Sequence, residues 1–455
     1  MTDSFDFVVI GAGASGEAAA HYARRRGASV AIIDRDLFGG SCAYWACIPS
    51  KTLLHCAEVR AHGGDYPWSA ASARRDYMIN REQRDYPDDS SHIRSLEDDG
   101  AVTFRGAARL AGRGRVELRE RDGRVRTLLA RDVIIAVGSV GKVPQIDGLD
   151  KAGYWTNVEA TSMRELPRSI VILGAGPSGV EIAQYFARYD VRTTIIAPHQ
   201  VNPTDHPRSS RVIAETLRRS GADVRENARA TRVRPRARGA EHVVELSDGS
   251  SVSGEIIQLS VGRTAGRALG ELGLDTVGVT YDGGDALKPD AQLRVAEHTF
   301  VIGDAMDREL STHLGHYEGE MAVRVALGDD VRVDLDAVPR AVYTDPETAA
   351  VGLRLDQAES RGIDAFEETA EYATSSKGYV VEADLGHVTI VVDRDAKTLV
   401  GAFLACPGAS EAVHAAVLAV KLRVPIDTLA QTITAFPTTT RVLGGVIAAA
   451  AAKLR

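Results

Sequence analysis

The sequence predicts an α/β fold with two doubly wound parallel sheets and a C-terminal α+β domain. Two observations predict the sheets: a strand, a glycine-rich turn and a helix follow one another near the N-terminus and again near the middle of the chain. A third predicts the last domain, since the apolar runs after about residue 338 have the length and spacing of antiparallel strands. The first two thirds of the chain therefore have a duplicated architecture.

The predicted elements are short apolar strands separated by helices. In the two repeated units we expect strands at 7–10, 30–33, 170–173 and 192–196, and helices at 16–26 and 178–188. In the last domain we expect strands at 341–343, 388–392 and 399–403, a helix at 411–420 and a C-terminal helix that includes 446–452. Residues 66–91 are polar and mixed in charge, and we interpret them as a helical excursion that carries a surface loop.

The composition indicates a globular protein of about three domains. Apolar residues make up 44% of the 455 residues and charged residues 25%, which allows a sizeable core without disulfide bridges. The formal net charge of −8 argues against nucleic acid as the main partner. The four cysteines are too few for a secreted disulfide scaffold, and we recognise neither a signal peptide nor a membrane span. We therefore expect a cytoplasmic protein.

The first glycine-rich turn has the residue pattern that a dinucleotide pyrophosphate requires. Gly11 permits a tight turn, Gly13 lets the backbone approach the phosphates, and Gly16 lets helix and sheet pack closely. The helix that follows stabilises phosphate charge at its N-terminus, and an acidic residue ending the next strand can bind a ribose hydroxyl. The alternative is a chance turn. The candidate residues are Gly11, Gly13, Ala14, Ser15, Gly16, Asp34 and Arg35.

The second glycine-rich turn repeats this arrangement without the acidic residue. Ala197 stands at the ribose position, so no carboxylate repels a 2′-phosphate, and His199 could add positive charge there. This pattern favours NADPH over NADH. The alternative is that both are ordinary loop residues and that either nucleotide binds. The candidate residues are Gly174, Gly176, Ser178, Gly179, Ala197 and His199.

Two further segments are candidates for chemistry. Gly303 and Asp304 follow an apolar strand, where an aspartate at the carboxyl end of a sheet can bind a cofactor, although the pair could also be a simple turn. Cys42 and Cys47 lie five positions apart beside Lys51. Five helical residues rise about 7.5 Å, whereas disulfide-bonded Cα atoms lie roughly 4.4–6.8 Å apart. The pair can therefore form a bridge only if the first helical turn is irregular.

Such a bridge would be reducible, and the helix N-terminus with Lys51 would lower the pKa of a released thiolate. The alternatives are two buried free cysteines or a metal site. A metal site is disfavoured because no second cysteine pair or histidine cluster completes a ligand set. We interpret Cys56 and Cys406 as ordinary core residues.

With these motifs in this order, the chain resembles the pyridine nucleotide–disulfide oxidoreductases, the group of dihydrolipoamide dehydrogenase, glutathione reductase and mercuric reductase. The resemblance covers nearly the whole length. Besides the segments above, it rests on residues 136–139, 261–264 and 343–347. It implies an FAD domain at 1–150 and 271–337, an NAD(P) domain at 151–270 and a dimerisation domain at 338–455. It also implies a homodimer that acts on a small-molecule substrate.

The resemblance also implies roles for the site residues. Cys47 resembles the flavin-proximal thiol that forms a charge-transfer complex, and Cys42 the interchange thiol that meets the substrate. Lys51 and Glu181 resemble the ion pair beside the reactive flavin nitrogen, and Asp304 the aspartate at the ribityl chain. The remaining cofactor contacts implied by the matching motifs are Gly40, Ser41, Gly138, Gly262 and Gly303.

Two departures from the family pattern concern the thiol chemistry. The family carries a His-Pro-Thr-x-x-Glu run whose histidine, from the partner subunit, is the acid/base, but here Phe436 and Arg441 stand at the two matching positions. A phenyl ring cannot transfer a proton. Tyr44 and Trp45 lie between the cysteines, and with Phe436 they could form an aromatic wall for a flat or apolar substrate. The tail also lacks the cysteine pair that mercuric reductases use to collect metal.

The sequence leaves three hypotheses for function. The first is an oxidoreductase that passes electrons from NADPH through FAD and the Cys42–Cys47 disulfide to a disulfide, dithiol or other unusual small substrate. The second is a quinone-type reductase that uses the flavin directly, with vestigial cysteines. The third is a flavin-bearing binding protein without turnover. The intact cysteine pair favours the first over the second.

Overall fold

The computed structural model describes residues 3–237, 240–306 and 308–455. In this part of the chain the strands are β1 (Asp3–Ile10), β2 (Val30–Asp34), β3 (Val102–Leu110), β4 (Arg115–Glu120), β5 (Val125–Ile135), β6 (Val140–Gly141), β7 (Ser169–Leu173), β8 (Arg192–Ala197), β9 (Asp223–Glu226), β10 (Ala230–Arg234), β11 (His242–Leu246), β12 (Ser251–Gly254), β13 (Ile256–Leu259), β14 (Arg263–Thr264), β15 (Arg294–Ala296), β16 (Thr299–Val301), β17 (Pro339–Val342), β18 (Thr348–Gly352), β19 (Ala365–Glu371), β20 (His387–Asp393) and β21 (Thr398–Ala405).

The α-helices of the same residues are α1 (Ala14–Arg25), α2 (Gly40–Tyr44), α3 (Cys47–Ala61), α4 (Trp68–Met78), α5 (Ser90–Asp98), α6 (Leu149–Ala152), α7 (Asn157–Ser162), α8 (Pro177–Arg188), α9 (Pro207–Arg219), α10 (Gly266–Glu271), α11 (Thr312–Ala326), α12 (Leu355–Ser360), α13 (Ser376–Val380), α14 (Ala409–Lys421), α15 (Ile426–Ala430) and α16 (Thr439–Lys453). Short 3₁₀ turns occupy Leu274–Val277, Gly303–Ala305 and Tyr372–Thr374.

The first sheet is built around parallel strands. β1 pairs in parallel with β2 and β5, β2 with β3, and β5 with β16. The prediction of a doubly wound parallel sheet is confirmed for these strands. Two further strands are antiparallel: β4 pairs with both β3 and β5, and β15 pairs with β16. The central strands are apolar without interruption, since helices such as α1 cover their faces: Phe7, Val8 and Val9 are fully buried.

The second sheet has the strand order β13-β7-β8-β9, with all pairs parallel. An antiparallel sheet of β10, β11 and β12 accompanies it. The helix α8, predicted at 178–188, connects β7 to β8 as α1 connects β1 to β2. Because β16 belongs to the first sheet, the chain returns to that sheet after the second one is complete.

The third sheet is antiparallel, with the order β17-β18-β21-β20-β19. The helices α14 and α16 share a buried core with it, which includes Ile390, Leu404, Val413 and Ile447. The predicted strands and helices of this α+β domain match observed elements, except that β17 ends at Val342, one residue before the predicted end at 343. The numerical domain boundaries given above stay predictions.

The polar segment at 66–91 contains α4, as the interpretation of a helical excursion expected. Arg75 on this helix is fully buried, and its guanidinium donates to the backbone carbonyl groups of Thr161, in the last turn of α7, and Met163, just after it. Asp76, with 5% of its surface exposed, pairs with Arg75, Arg81 and Arg164. A buried arginine requires such complete pairing, and this network fixes α4 against α7.

Candidate active site

The two glycine-rich turns have nearly the same geometry. A Cβ on Gly11 would lie 2.2 Å from the carbonyl oxygen of Ala136, and a Cβ on Gly174 would lie 2.3 Å from that of Ser260. These two glycines have φ values of 105° and 100°. The helices α1 and α8 then begin after Gly13 and Gly176, neither of which caps its helix with a side chain. The first backbone N–H groups of both helices are therefore available to phosphate.

The third glycine of each turn packs helix against strand. A Cβ on Gly16 would lie 1.9 Å from the Gly11 carbonyl oxygen, and one on Gly179 would lie 2.2 Å from the Gly174 carbonyl oxygen. Only glycine fits at these positions. Ser178 is exposed in the first turn of α8, where it can reach a ligand.

A cavity of about 530 Å³ begins at the first turn and continues to Cys42. It runs along the carboxyl ends of β1 and β2, the usual place for a nucleotide in such a sheet. Its lining includes most of the predicted cofactor contacts, namely Gly11, Gly13, Ala14, Ser15, Asp34, Arg35, Gly40, Ser41, Gly138 and Asp304. The glycine cradle and the uncapped helix fit the pyrophosphate of FAD. Gly16 and Gly303 do not line the cavity and instead provide close packing behind it.

Asp34 ends β2 at the edge of this cavity. Its carboxylate accepts N–H groups of Ala12 and Asp36, each at 2.7 Å, which fixes both loops. Burial raises the pKa of Asp34. Each oxygen keeps a second lone pair, so the carboxylate can still accept a ribose hydroxyl.

Asp304 is held by two residues from other parts of the chain. The Ser139 hydroxyl donates to its carboxylate at 2.6 Å, and the Arg263 guanidinium donates to that hydroxyl at 2.7 Å and lies 3.5 Å from the carboxylate. The N–H of Gly303 donates to Glu318 at 2.9 Å, and burial raises the pKa of Glu318 to about 7. Ser139, Arg263 and Asp304 therefore form one polar group at the cavity wall.

The cysteines lie on either side of a break between two helices. Cys42 is in α2, which ends at Tyr44, and Cys47 is the first residue of α3. Ala46 between them has φ −136° and ψ −97°, far from helical values. This is the irregular turn that the five-residue spacing requires for the two sulfur atoms to meet. The structure shows both residues as free thiols, the reduced form of the predicted disulfide.

The two thiols interact with each other and with Thr312. The Thr312 hydroxyl lies 3.3 Å from Cys42 Sγ and 3.4 Å from Cys47 Sγ. Hydrogen bonding from the Cys42 thiol, more than that from Thr312 or the charge of Lys51, lowers the pKa of Cys47 to about 6. The same thiol–thiol hydrogen bond, together with burial, raises the pKa of Cys42. At neutral pH the negative charge therefore resides on Cys47.

Lys51 lies one turn along α3 from Cys47. Its ammonium group pairs with Glu181 of α8 at 2.7 Å and lies 4.7 Å from the centre of the Tyr343 ring. The other oxygen of Glu181 accepts the Tyr343 N–H at 3.0 Å. Burial alone would lower the pKa of Lys51, but the Glu181 carboxylate outweighs it and the pKa is raised.

The second nucleotide turn faces a loop that follows β8. Ala197 is buried at the end of that strand, and His199 is exposed beyond it. Glu226 accepts the Val201 N–H of this loop at 3.1 Å and pairs with Arg218 at 2.9 Å. Arg218 therefore adds a cation near the loop that has no arginine of its own. Gly262 adopts φ 106° after β13, and a Cβ there would lie 3.7 Å from the Lys142 side chain.

The predicted aromatic wall is wrong for Tyr44. This residue is 1% exposed and packs with Leu37 and Ile79, because the break after α2 turns its ring into the core. Trp45 lines the cavity near Cys42, and its ring centre lies 5.6 Å from that of Tyr86. Phe436, at the position of the family's histidine, is 71% exposed. In the described residues no histidine hydrogen-bonds to either thiol.

Three residues of the site were not predicted from the sequence. Thr312 follows a loop far along the chain, so only a structure brings it to the cysteines. Ser139 and Arg263 lie in the segments 136–139 and 261–264, which match the family. That match was the available signal for them, but it gave neither residue a role. Cys56 and Cys406 are fully buried core residues, as expected.

A separate group of possible metal ligands lies on the surface. Glu58, His62 and Asp345 have ligand atoms within 4.8 Å of one another. The Arg188 guanidinium already donates to Asp345 at 2.7 Å, so a cation is present in this group. We describe it as an ion-pair cluster.

The chain has a glycine-rich nucleotide turn on each of two similar sheets, and a dithiol at the end of the cavity that begins at the first turn. These features define a dinucleotide-dependent dithiol oxidoreductase. Residues 5–329 match the family model described as pyridine nucleotide-disulphide oxidoreductase. Residues 338–446 match the dimerisation domain of the same group. The chain belongs to the pyridine nucleotide-disulphide oxidoreductase family, and it is a flavin-dependent disulfide oxidoreductase that uses FAD and NAD(P)H.

The chain is similar along nearly its whole length to two kinds of characterised enzyme. It is 31% identical to a dihydrolipoyl dehydrogenase of Chlorobaculum tepidum, over 96% of this chain and 95% of that protein. It is 28% identical to a mercuric reductase of Shigella flexneri, over 97% of this chain and 79% of the relative.

Solved structures share the fold. The HOCl-induced flavoprotein disulfide reductase RclA from Escherichia coli, in its Cu(II) complex, superposes with a TM-score of 0.87 at 23% identity, over 99% of this chain and 100% of that chain. LpdA from Mycobacterium tuberculosis gives the same TM-score, identity and coverage. Within the described ranges, no helix has the length and apolar character needed to cross a membrane.

Proposed function

We propose that the enzyme transfers electrons from NADPH through the Cys42–Cys47 pair to a small acceptor, either a disulfide or another unusual substrate. One observation carries the proposal: Cys42 lines the cavity, and the Thr312 hydroxyl lies within 3.4 Å of both cysteine sulfur atoms. Hydrogen bonding in this group lowers the pKa of Cys47, whereas the Cys47 hydrogen bond and burial raise the pKa of Cys42. This division of charge suits a pair in which one sulfur holds the thiolate and the other meets the substrate.

FAD, when bound, supplies the two-electron relay between the nicotinamide and the cysteine disulfide. We assign the pyrophosphate to the first turn, Gly11 to Gly16, and the ribityl chain to Asp304 with Ser139 and Arg263. We assign the Lys51–Glu181 pair to the positioning of positive charge beside the isoalloxazine ring. The second turn, Gly174 to Gly179, would hold the pyridine nucleotide.

With a disulfide acceptor, the thiol chemistry follows from the geometry. Cys42 loses its proton and attacks one sulfur of the acceptor, which releases one thiol and leaves a mixed disulfide. The Cys47 thiolate then attacks Cys42, which forms the Cys42–Cys47 disulfide and releases the second sulfur as a thiolate that takes a proton from solvent. Two electrons and a proton from NADPH restore the Cys42 thiol and the Cys47 thiolate.

The assembly we propose is a homodimer, which the dimerisation-domain match supports. Ile433 and Phe436 are 95% and 71% exposed on the third domain, and a partner subunit would cover such apolar side chains. A cytoplasmic location stays a prediction.

A second candidate function is direct reduction of a quinone-type acceptor by the flavin. The observation that favours it is the position of Phe436, where the family supplies an acid/base for Cys42. We do not retain the third hypothesis, a binding protein without turnover, because the family consists of oxidoreductases.

Steady-state NADPH oxidation separates the two candidates. The purified enzyme would be assayed with a panel of small disulfides and quinones, alongside Cys42→Ser and Cys47→Ser. Loss of turnover in both variants supports the dithiol route, and Thr231→Val, on the exposed face of β10, serves as a control. Unchanged turnover in both cysteine variants overturns the proposal in favour of direct reduction.

A further inference from the structure

The backbone between the two cysteines contains a carbonyl group that no helix can satisfy. The carbonyl of a helix N-cap residue accepts the N–H four residues later, and Ala46, the N-cap of α3, accepts the Ser50 N–H at 3.0 Å. Trp45 precedes this N-cap by one residue. For Trp45 the residue four positions later is Pro49, which has no N–H. The Trp45 carbonyl therefore needs a donor from elsewhere.

Two side chains of α7 supply that donor. The Asn157 amide donates to the Trp45 carbonyl oxygen at 2.7 Å. The Thr161 hydroxyl shares its single proton between that oxygen at 3.2 Å and the Asn157 carbonyl oxygen at 2.8 Å. These residues are one helical turn apart, so they lie on one face of α7. Thr161 is 1% exposed, which places its hydroxyl in a protein-lined environment.

The helix that carries these donors is itself fixed from behind. Arg75 donates to the carbonyl groups of Thr161 and Met163, and Arg81 donates to that of Ser162 at 2.7 Å. These are carbonyls at the end of α7, which have no partner within the helix. Asp76 pairs with both arginines, so the buried network of α4 holds the donor face of α7 against the cysteine loop.

We infer that Asn157 and Thr161 are positioning residues that hold the Trp45–Ala46 break open, and thereby keep the sulfur atoms of Cys42 and Cys47 together. The inference rests on the proposed function in one respect, namely that the two cysteines cycle between dithiol and disulfide. Pro49 already prevents a continued helix, in which the cysteines would lie about 7.5 Å apart along the axis. Among the conformations that remain, the donors of α7 favour the one that brings the two sulfur atoms together. Donors to Trp45 therefore favour both the disulfide and the thiol–thiol hydrogen bond.

The test measures the thiol–disulfide equilibrium of the holoenzyme in glutathione redox buffers, read by alkylation and mass spectrometry. In this exchange the enzyme dithiol and glutathione disulfide give the enzyme disulfide and two glutathione thiols. Asn157→Asp keeps the side-chain shape but removes the donor. We expect it to lower the equilibrium constant for disulfide formation about tenfold, which corresponds to a rise of ~30 mV in the midpoint potential. Thr161→Val should act in the same direction, and Thr161→Ser should restore the parent value.

A second measurement reports on geometry and not on stability. The rate at which iodoacetamide alkylates Cys47 in the reduced enzyme should reach its half-maximum at a higher pH in Thr161→Val, which adds no charge. Thr231→Val is the matched control, because its exposed hydroxyl donates to the carbonyl of Glu245 on a distant strand. It should change neither the equilibrium nor the pH profile.

The outcomes are distinct. An equilibrium constant equal to that of the parent in folded Asn157→Asp and Thr161→Val, with an unchanged pH midpoint in Thr161→Val, overturns the inference and leaves the proposed function intact. If Asn157→Asp does not fold, the comparison of Thr161→Val with Thr161→Ser decides alone. A parent enzyme that forms no Cys42–Cys47 disulfide in any buffer overturns the proposed function and this inference together.

Discussion

Lys51 and Glu181 form a 2.7 Å ion pair that joins the cysteine helix α3 to the helix α8 of the second nucleotide turn. Glu181 is almost completely buried, with 4% of its side chain exposed, and its second oxygen accepts the Tyr343 N–H. The pair therefore connects three parts of the chain: the first sheet's redox loop, the second sheet's glycine turn and the start of the third domain.

The first prediction concerns this ion pair. Glu181→Gln keeps an acceptor for Tyr343 but leaves the Lys51 ammonium without a counter-charge. We expect the free energy of unfolding to fall by about 1.5–3 kcal/mol, the usual contribution of a hydrogen bond to a charged group. Reduction of the flavin by NADPH should also slow. Urea unfolding and stopped-flow absorbance measure the two effects.

The control for this prediction is Glu368→Gln. Glu368 is also largely buried and pairs with Lys453, but it lies in the third domain away from the cysteines. It should leave the rate of flavin reduction unchanged. A Glu181→Gln enzyme that is reduced as fast as the parent would show that the pair has only a structural role.

The second prediction concerns the charge on Cys47. Its pKa of about 6 means that the thiolate is present above that pH and is lost as the pH falls through it. Alkylation of Cys47 in the reduced enzyme should therefore be half-maximal near pH 6. Thr312→Val removes one stabilising hydroxyl, and we expect the midpoint to rise by about one pH unit.

Thr312→Ser is the control, because it keeps the hydroxyl and loses only a methyl group. It should retain the parent profile. If Thr312→Val and Thr312→Ser gave the same midpoint, the contact between Thr312 and the sulfurs would not stabilise the thiolate.

The third prediction concerns the choice of nucleotide. We expect a higher kcat/KM with NADPH than with NADH, since Ala197 offers no carboxylate and Arg218 lies near the loop after β8. Arg218→Ala should lower kcat/KM for NADPH about tenfold, the loss of roughly 1.4 kcal/mol of binding, and leave NADH nearly unchanged. The adjacent Arg219→Ala is the control, because Arg219 pairs with Glu215 and Asp384.

A parent enzyme with a clear advantage for NADH would contradict the interpretation of this loop. Equal effects of Arg218→Ala on the two nucleotides would show instead that Arg218 acts on the fold of the loop.

Much of the site could be predicted because local sequence determines it. Gly11 and Gly174 occupy positions where any Cβ would collide with a neighbouring strand, so the residue type itself reports the close approach. The spacing of Cys42 and Cys47 likewise required an irregular turn if the two were to form a bridge, and the break at Ala46 is that turn. In these cases short-range sterics leave one solution.

The rest depends on contacts between distant parts of the chain. Thr312 meets the cysteines only because β16 belongs to the first sheet, so α11 begins beside the redox loop. Tyr44 was expected at a substrate wall, but tertiary packing turned it into the core. Arg75 lies in a segment whose polar, mixed-charge pattern gives no sign of burial, and only its pairing with Asp76 and the end of α7 explains why it is buried.

The last prediction concerns the missing acid/base. Phe436 stands at the family's histidine position, just before α16. Arg441 stands at the family's glutamate position, in the first turn of that helix. Acid–base assistance typically contributes about 10²–10⁴-fold. We therefore expect the parent enzyme to turn over glutathione disulfide and lipoamide slowly, although NADPH reduces the enzyme itself quickly. The double variant Phe436→His/Arg441→Glu should raise turnover with these disulfides at least about tenfold.

The reason for this expectation is the charge distribution of the pair. Cys42 has a raised pKa and must lose its proton before it attacks. Its hydrogen-bond partners among the described residues are Thr312 and Cys47, and neither is an imidazole or a carboxylate. An imidazole supplied across the dimer would accept that proton, while Glu at 441 would orient the ring.

Phe436→Leu, which provides no base, is the control and should not raise turnover. Stopped-flow reduction and steady-state assays with the same enzyme preparations make the comparison. If the parent enzyme turned over glutathione disulfide as fast as NADPH reduces the enzyme, another residue would be supplying the proton. The assignment of Phe436 would then be wrong.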